Sequence, residues 1–89
     1  MRLDKFLKAS RLVKRRTVAK ELCDAGRMDV NGRVAKAGTE LHVGDELTIR
    51  YGQRVTVVRV RQLVDNPRKD AAVDLYEVIS GEQGAVDGE

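Results

Sequence analysis

The side chains of this chain with most chemistry to offer are its Lys and Arg residues, and they are gathered at one end. Arg2, Lys5, Lys8, Arg11, Lys14, Arg15, Arg16, Lys20, Arg27, Arg33 and Lys36 all fall within the first 36 positions, where the acids are Asp4, Glu21, Asp24 and Asp29. Eleven bases against four acids leave this segment at +7, whereas the other 53 residues carry six bases and ten acids, a net −4. The overall formal charge of +3 conceals that division. A basic segment beside an acidic one points to a polyanion bound by one face, with nucleic acid as the first candidate. Arg offers planar forks and Lys point charges to phosphate oxygens. Ser10 and Thr17 add neutral hydroxyls of a size suited to backbone contacts.

These bases sit at helical spacings between apolar residues that would hold them. Leu3, Phe6 and Leu7 follow the i, i+3, i+4 rule and predict a short helix over residues 3–9. So short a helix must pack on something. Asp4 falls in its first turn, where a carboxylate suits the helix dipole, and is expected to pair with Lys8. A second helix is predicted from about Arg15 to Ala25, with Val18, Ala19, Leu22 and Ala25 on its apolar arc and Gly26 as its stop signal. On that wheel Arg16, Lys20 and Cys23 flank one side of the arc, and Thr17, Glu21 and Asp24 lie opposite. Arg11, Lys14 and Arg15 surround the junction, beside a helix N-terminus whose free N–H groups favour phosphate. Arg27 follows the second helix.

From Met28 the period changes to two. Asn31-Gly32 is a tight-turn signal between Val30 and Val34, and Asn31 is equally suited to the turn and to an RNA contact. Val43-Gly44-Asp45-Glu46 leads into a strand ending at Tyr51, and Gly52-Gln53 links it to an alternating strand containing Val55, Val57, Val58 and Val60. Asn66-Pro67-Arg68-Lys69 breaks the pattern. A helical turn is expected at 70–74 and a last strand at 75–79. The reading is a single α+β domain over 1–80, with a disordered acidic tail over 81–89.

Composition excludes several classes. Phe6, Tyr51 and Tyr76 are the only aromatics, which argues against a sheet or groove that stacks bases on aromatic rings. With one cysteine, Cys23, and one histidine, His42, neither a zinc cluster nor a nucleophile–histidine pair is expected, and no cofactor is called for. Gly26, Gly32, Gly44 and Gly52 match no phosphate-cradling fingerprint and read as turn devices. No apolar run approaches a membrane span, so a soluble cytoplasmic protein is expected.

Met1-Arg2-Leu3-Asp4-Lys5-Phe6-Leu7, Ser10-Arg11, Arg16-Thr17, Ala19, Gly26-Arg27, Val30-Asn31-Gly32 and Val43-Gly44-Asp45 together resemble the S-four RNA-binding domain, the alpha-L motif. The resemblance spans roughly residues 2–50. It implies an N-terminal helical hairpin packed on a small, mostly antiparallel twisted sheet. Asp45-Glu46-Leu47-Thr48, Arg50-Tyr51-Gly52-Gln53 and Leu75-Tyr76 are further similar to the short members of the heat-shock-15-kilodalton-related family, the branch that acts in ribosome-associated quality control. Larger members of that family carry a basic C-terminal extension, whereas this sequence closes with Gly84-Ala85-Val86-Asp87-Gly88-Glu89.

The resemblance implies a non-enzymatic factor that binds the large ribosomal subunit obstructed by peptidyl-tRNA. It would contact large-subunit rRNA and P-site tRNA and support C-terminal alanine tailing by a partner protein. The alternative it leaves is a recycling or heat-shock-type factor, or a general rRNA-binding protein. By motif position Arg2 and Arg16 would be the principal contacts. Around them come Lys5, Lys8, Ser10, Arg11, Lys14, Arg15, Thr17, Lys20, Arg27, Asn31 and Lys36. A monomer is expected.

Overall fold

A computed structural model describes residues 1–64 and 66–81, the side chains of Lys69 and Val73 excepted. Helices α1 (Leu3–Ala9) and α2 (Arg16–Asp24) are followed by strands β1 (Met28–Val30), β2 (Arg33–Val34), β3 (Glu46–Tyr51) and β4 (Arg54–Val60). A 3-10 helix (Lys69–Leu75) then leads into β5 (Tyr76–Ser80). The strands form one antiparallel sheet in the order β2-β1-β3-β4-β5, so the expected α+β arrangement is found. The acidic tail proposed for 81–89 lies, beyond Gly81, outside the described residues.

Leu3, Phe6 and Leu7 of α1 are fully buried, in one continuous cluster with Ala19, Leu22 and Cys23 of α2 and with Met28, Leu47, Ile49, Val58 and Val60 of the sheet. This continuity stabilises a seven-residue helix that would not persist alone. Its first N–H groups are also taken up: Leu3 N–H donates to the Thr39 carbonyl at 2.8 Å and Asp4 N–H to that of Ala37 at 3.1 Å. Those bonds fasten the start of α1 to the loop that precedes β3.

The buried arc of α2 differs from the predicted one. Cys23 completes it rather than Ala25, which is exposed, while Val18 is half-buried. The reason is that α2 ends one residue earlier, with Ala25 as its cap. Gly26 then adopts φ +73°, with Gly26 N–H bonded to the Cys23 carbonyl and Arg27 N–H to that of Leu22. This is the double bond pattern of a Schellman ending, and it requires the left-handed region that glycine enters without penalty. Asn31 and Gly32, at φ 53° and 83°, make the tight turn between Val30 and its partner Arg33.

On β4, Thr56, Val58 and Val60 are buried, while Val55 and Arg59 are exposed on the other face. The doubled valine at 57–58 coincides with a register shift against β5, which leaves Ile79 without a partner. Close by, a Cβ on Gly81 would lie 2.4 Å from the Val55 carbonyl oxygen, so only glycine fits against β4 there.

One clamp joins the sheet to the helices. Arg50 donates through both terminal nitrogens to the Asp29 carboxylate, at 2.6 and 2.9 Å, and to the Gly26 carbonyl at 2.9 Å. It thereby ties β3, β1 and the end of α2 together. These hydrogen bonds hold the Asp29 carboxyl below its ordinary value near 3.8. A depressed folded-state pKa contributes stability that is present above 3.8 and lost as pH falls through the lower folded value. Acid titration of thermal stability should therefore fall less steeply below that pH in Asp29→Asn than in wild type, from a lower starting stability. Parallel curves would mean the pair contributes nothing.

Candidate nucleic-acid interface

Burying Leu3, Phe6 and Leu7 turns Lys5 and Lys8 outward, three residues apart on one exposed stripe of α1. Burying Ala19, Leu22 and Cys23 likewise exposes Arg16 and Lys20 one turn apart on α2, with Thr17 also exposed. Lys5, Lys8, Arg11 and Arg16 converge on a single depression of about 290 Å³ between the helices, closed on another side by Asn66 and Pro67. Arg15 and Arg27 border a second depression, of about 350 Å³, with Tyr51. Lys36 lies apart from both, beside Arg33 in a third depression next to the β1–β2 turn. Lys14 is exposed at the junction. Helix α2 has Arg15 as its N-cap, without a side-chain cap hydrogen bond, and no acid of its own in its first turn.

Beneath this surface lies a carboxylate. Asp4 is 4% exposed, and one oxygen accepts the Lys5 N–H at 2.8 Å. Arg2 approaches it with Nε 3.4 Å from Oδ1, and Arg16 with Nη2 3.8 Å from Oδ2. The expected Asp4–Lys8 pair is replaced by these two, because the carboxylate turns inward toward the start of α2 while Lys8 faces solvent. Both arginine side chains keep more than half their surface exposed. Asp4 thus gathers two partly exposed arginines at one carboxylate and offsets their mutual repulsion.

The profile of the S4 domain matches residues 1–47. Similarity extends beyond that segment. The chain is 59% identical over 78 residues to the RQC P-site tRNA stabilizing factor of Halalkalibacterium halodurans, covering 88% of this chain and 89% of that protein. To the Bacillus subtilis factor of the same name it is 51% identical over 83 residues, covering 93% and 96%. The chain belongs to the S4-domain family. Among solved structures, Vibrio cholerae heat shock protein 15 superposes with a TM-score of 0.82 at 30% identity, covering 90% of this chain and 82% of that one. The Vibrio protein is trimeric in that structure, in contrast to the monomer expected here from sequence. Surface residues that meet in an assembly differ little in composition from the rest of a surface, so sequence carries scant sign of one.

The S4 segment contains α1, α2, β1, β2 and the start of β3, and it includes Arg2, Asp4 and Arg16. Within it, the two helices end alike but with different residues. Arg11 has φ +62° where α2 uses Gly26, and its N–H bonds the Lys8 carbonyl at 3.1 Å as that of Gly26 bonds Cys23. A non-glycine residue in this region costs about 1 kcal/mol or more. The conformation turns Arg11 into the basic depression. Ser10 is buried beside it, donating to the Leu7 carbonyl at 3.3 Å and accepting from Leu12 N–H at 3.4 Å, so its hydroxyl shapes the turn from inside. Asn31 is also occupied: its amide donates to Asp45 at 3.1 Å and its oxygen accepts the Glu46 N–H at 2.9 Å.

Cys23 is buried under the same hairpin, and its thiol is pushed up to about 11 by burial and by the charges of Asp4 and Asp24, which leaves it protonated and unreactive at neutral pH. His42 is exposed in a turn, its ring 3.8 Å from Asp45. Among the described residues no cluster of three or more His, Cys, Asp or Glu side chains could hold a metal, and no helix is long and apolar enough to cross a membrane. Sequence reasoning missed the role of Asp4 and the presence of Asn66 and Pro67 at the site. A carboxylate between two arginine positions was visible at Asp4, whereas nothing local marked Asn66.

Two outcomes test this geometry. Arg11→Gly should raise Tm by roughly 4–8 °C, the effect of about 1 kcal/mol in a domain of this size, while weakening RNA binding measured by fluorescence anisotropy. An unchanged affinity would show that the strained backbone has no binding role. Asp4→Asn should weaken RNA binding severalfold even though it removes a negative charge. Tighter binding would mean that charge alone matters and positioning does not.

Proposed function

We propose that this chain is a non-enzymatic RNA-binding factor of ribosome-associated quality control. It binds large ribosomal subunits obstructed by peptidyl-tRNA, contacts large-subunit rRNA and the P-site tRNA, and supports the addition of C-terminal alanine residues by a partner protein on the same subunit. The single observation that carries an RNA-binding surface is the convergence of Lys5, Lys8, Arg11 and Arg16 on one depression, with Arg2 and Arg16 held by Asp4. Its assignment to quality control is supported by the relatives named RQC P-site tRNA stabilizing factor.

The mechanism is positional. Phosphates of two RNA elements meet fixed cations, so ordering the arginines costs little at the moment of binding. The ordered surface stabilises one placement of the tRNA relative to the subunit, and a partner's reaction can then repeat on a substrate that does not dissociate. The factor contributes binding energy and geometry to this cycle, with no bond made or broken on its own side chains. Arg2 and Arg16 form the principal contacts, Lys5, Lys8 and Arg11 join them around the depression, Lys14, Arg15, Thr17, Lys20 and Arg27 extend them along α2, and Lys36 reaches a peripheral phosphate. The protein works in the cytoplasm, where these subunits are. Similarity to heat shock protein 15 supports a second reading, in which the same surface serves subunit recycling without tailing.

The test is sedimentation of tagged protein through a sucrose gradient of lysate, with tRNA probed in each fraction. Wild type is expected on large subunits holding peptidyl-tRNA, and Arg16→Ala at the top of the gradient with Tm almost unchanged. Protein absent from ribosomal fractions at low salt would overturn the reading. With about six phosphates neutralised, affinity should drop roughly a thousandfold between 50 and 200 mM salt, by analogy with duplex DNA. A flat salt response would remove the phosphate contacts.

A further inference from the structure

The basic depression is walled by more than cations. Lys5, Lys8, Arg11 and Arg16 line it from the helical hairpin, Ala9 contributes a half-buried apolar surface, and Asn66 with Pro67 closes it from the segment between β4 and the 3-10 helix. A phosphate ridge needs a basic surface but no such side wall. Phosphate oxygens only accept hydrogen bonds, so they leave the carbonyl half of a carboxamide without a partner. Asn66 offers a donor and an acceptor together, the combination that reads a base edge. Pro67 and Ala9 offer apolar surface against which a base or ribose can pack.

The wall is also preset. Pro67 has its φ restricted by its ring, and Asn66, preceding a proline, is disfavoured in the helical region. The volume, about 290 Å³, is near the lower bound of roughly 300 Å³ for small-ligand pockets. That suits one nucleotide and not a length of stem.

We propose that this depression is a socket for a single unpaired nucleotide of the bound RNA. The cations hold the flanking phosphates and Asn66 reads the base. The inference rests on the RNA-binding function proposed above and deepens it, giving a direct role to a segment beyond the S4-matched residues. Stacked bases of a regular A-form helix cannot enter such a socket, whereas a bulged or splayed nucleotide can. The surface would thereby select irregular RNA over plain duplex.

The experiment uses the whole chain and two labelled RNA duplexes of equal length, one fully paired and one carrying a single bulged nucleotide, titrated by fluorescence anisotropy across a salt series. Wild type should bind the bulged duplex roughly tenfold more tightly, and Asn66→Ala should reduce that preference to about twofold with the salt slope unchanged. Lys8→Ala should weaken both complexes alike and lower the salt slope by about one. Equal wild-type affinity for the two duplexes, with a steep salt slope, would overturn the socket and leave the phosphate-binding reading standing. A preference that survives in Asn66→Ala would overturn the assignment to this depression. Failure to bind either duplex at low salt would bring down the RNA-binding reading and the socket with it.

Discussion

Burial of α1 is the constraint on which the other features depend. Seven residues cannot sustain a helix in water, so α1 exists because Leu3, Phe6 and Leu7 are covered on every side and because Ala37 and Thr39 receive its first N–H groups. Its opposite face is then solvent-facing by default, and the bases on that face acquire a fixed direction. The same burial sets Asp4 under the start of α2, within reach of Arg16. The surface proposed to bind RNA is here the reverse side of a core contact.

Gathering cations has an electrostatic cost, and the structure meets it in two ways. Asp4 sits between Arg2, whose Nε and Nη2 reach its two oxygens at 3.4 and 3.5 Å, and Arg16 at 3.8 Å, all longer than the contacts of a tight fork. Solvent also screens the exposed ends of these side chains. Arg50 and Asp29 contrast with this arrangement. Their two bonds, at 2.6 and 2.9 Å, close a fork completely and leave the guanidinium committed to holding β1, β3 and the end of α2. The loosely paired arginines belong to the proposed binding surface, and the tightly paired one supports the scaffold. Arg11 adds a third case, in which backbone strain is retained at the edge of the basic depression although glycine ends the neighbouring helix in the same conformation.

The second half of the chain provides more than solubility. β4 and β5 extend the sheet, and the segment between them returns Asn66 and Pro67 to the helical hairpin. The acidic balance of this half leaves the basic face as the one that attracts polyanions, so orientation on an RNA surface is set before contact. The doubled valine at 57–58 and the close approach of Gly81 to β4 fix where β5 ends.

Much of this was legible in sequence. Apolar residues at i, i+3, i+4 marked α1, the change of period at Met28 marked the sheet, and Gly26 and Asn31-Gly32 marked the turns, because each depends on interactions within a few residues. The basic character of the first 36 positions was equally plain, since charge needs no fold to be counted. Even so, the end of α2 shifted by one residue, enough to exchange Ala25 for Cys23 in the core. What tertiary structure alone decided are the meetings across the chain: Asp4 with Arg16, Arg50 with Asp29 and Gly26, and Asn66 at the same depression as Lys5 and Lys8. Strand register, helix packing and loop path bring those groups together from distant positions, and a charge or an amide in sequence carries no mark of the partner it will meet.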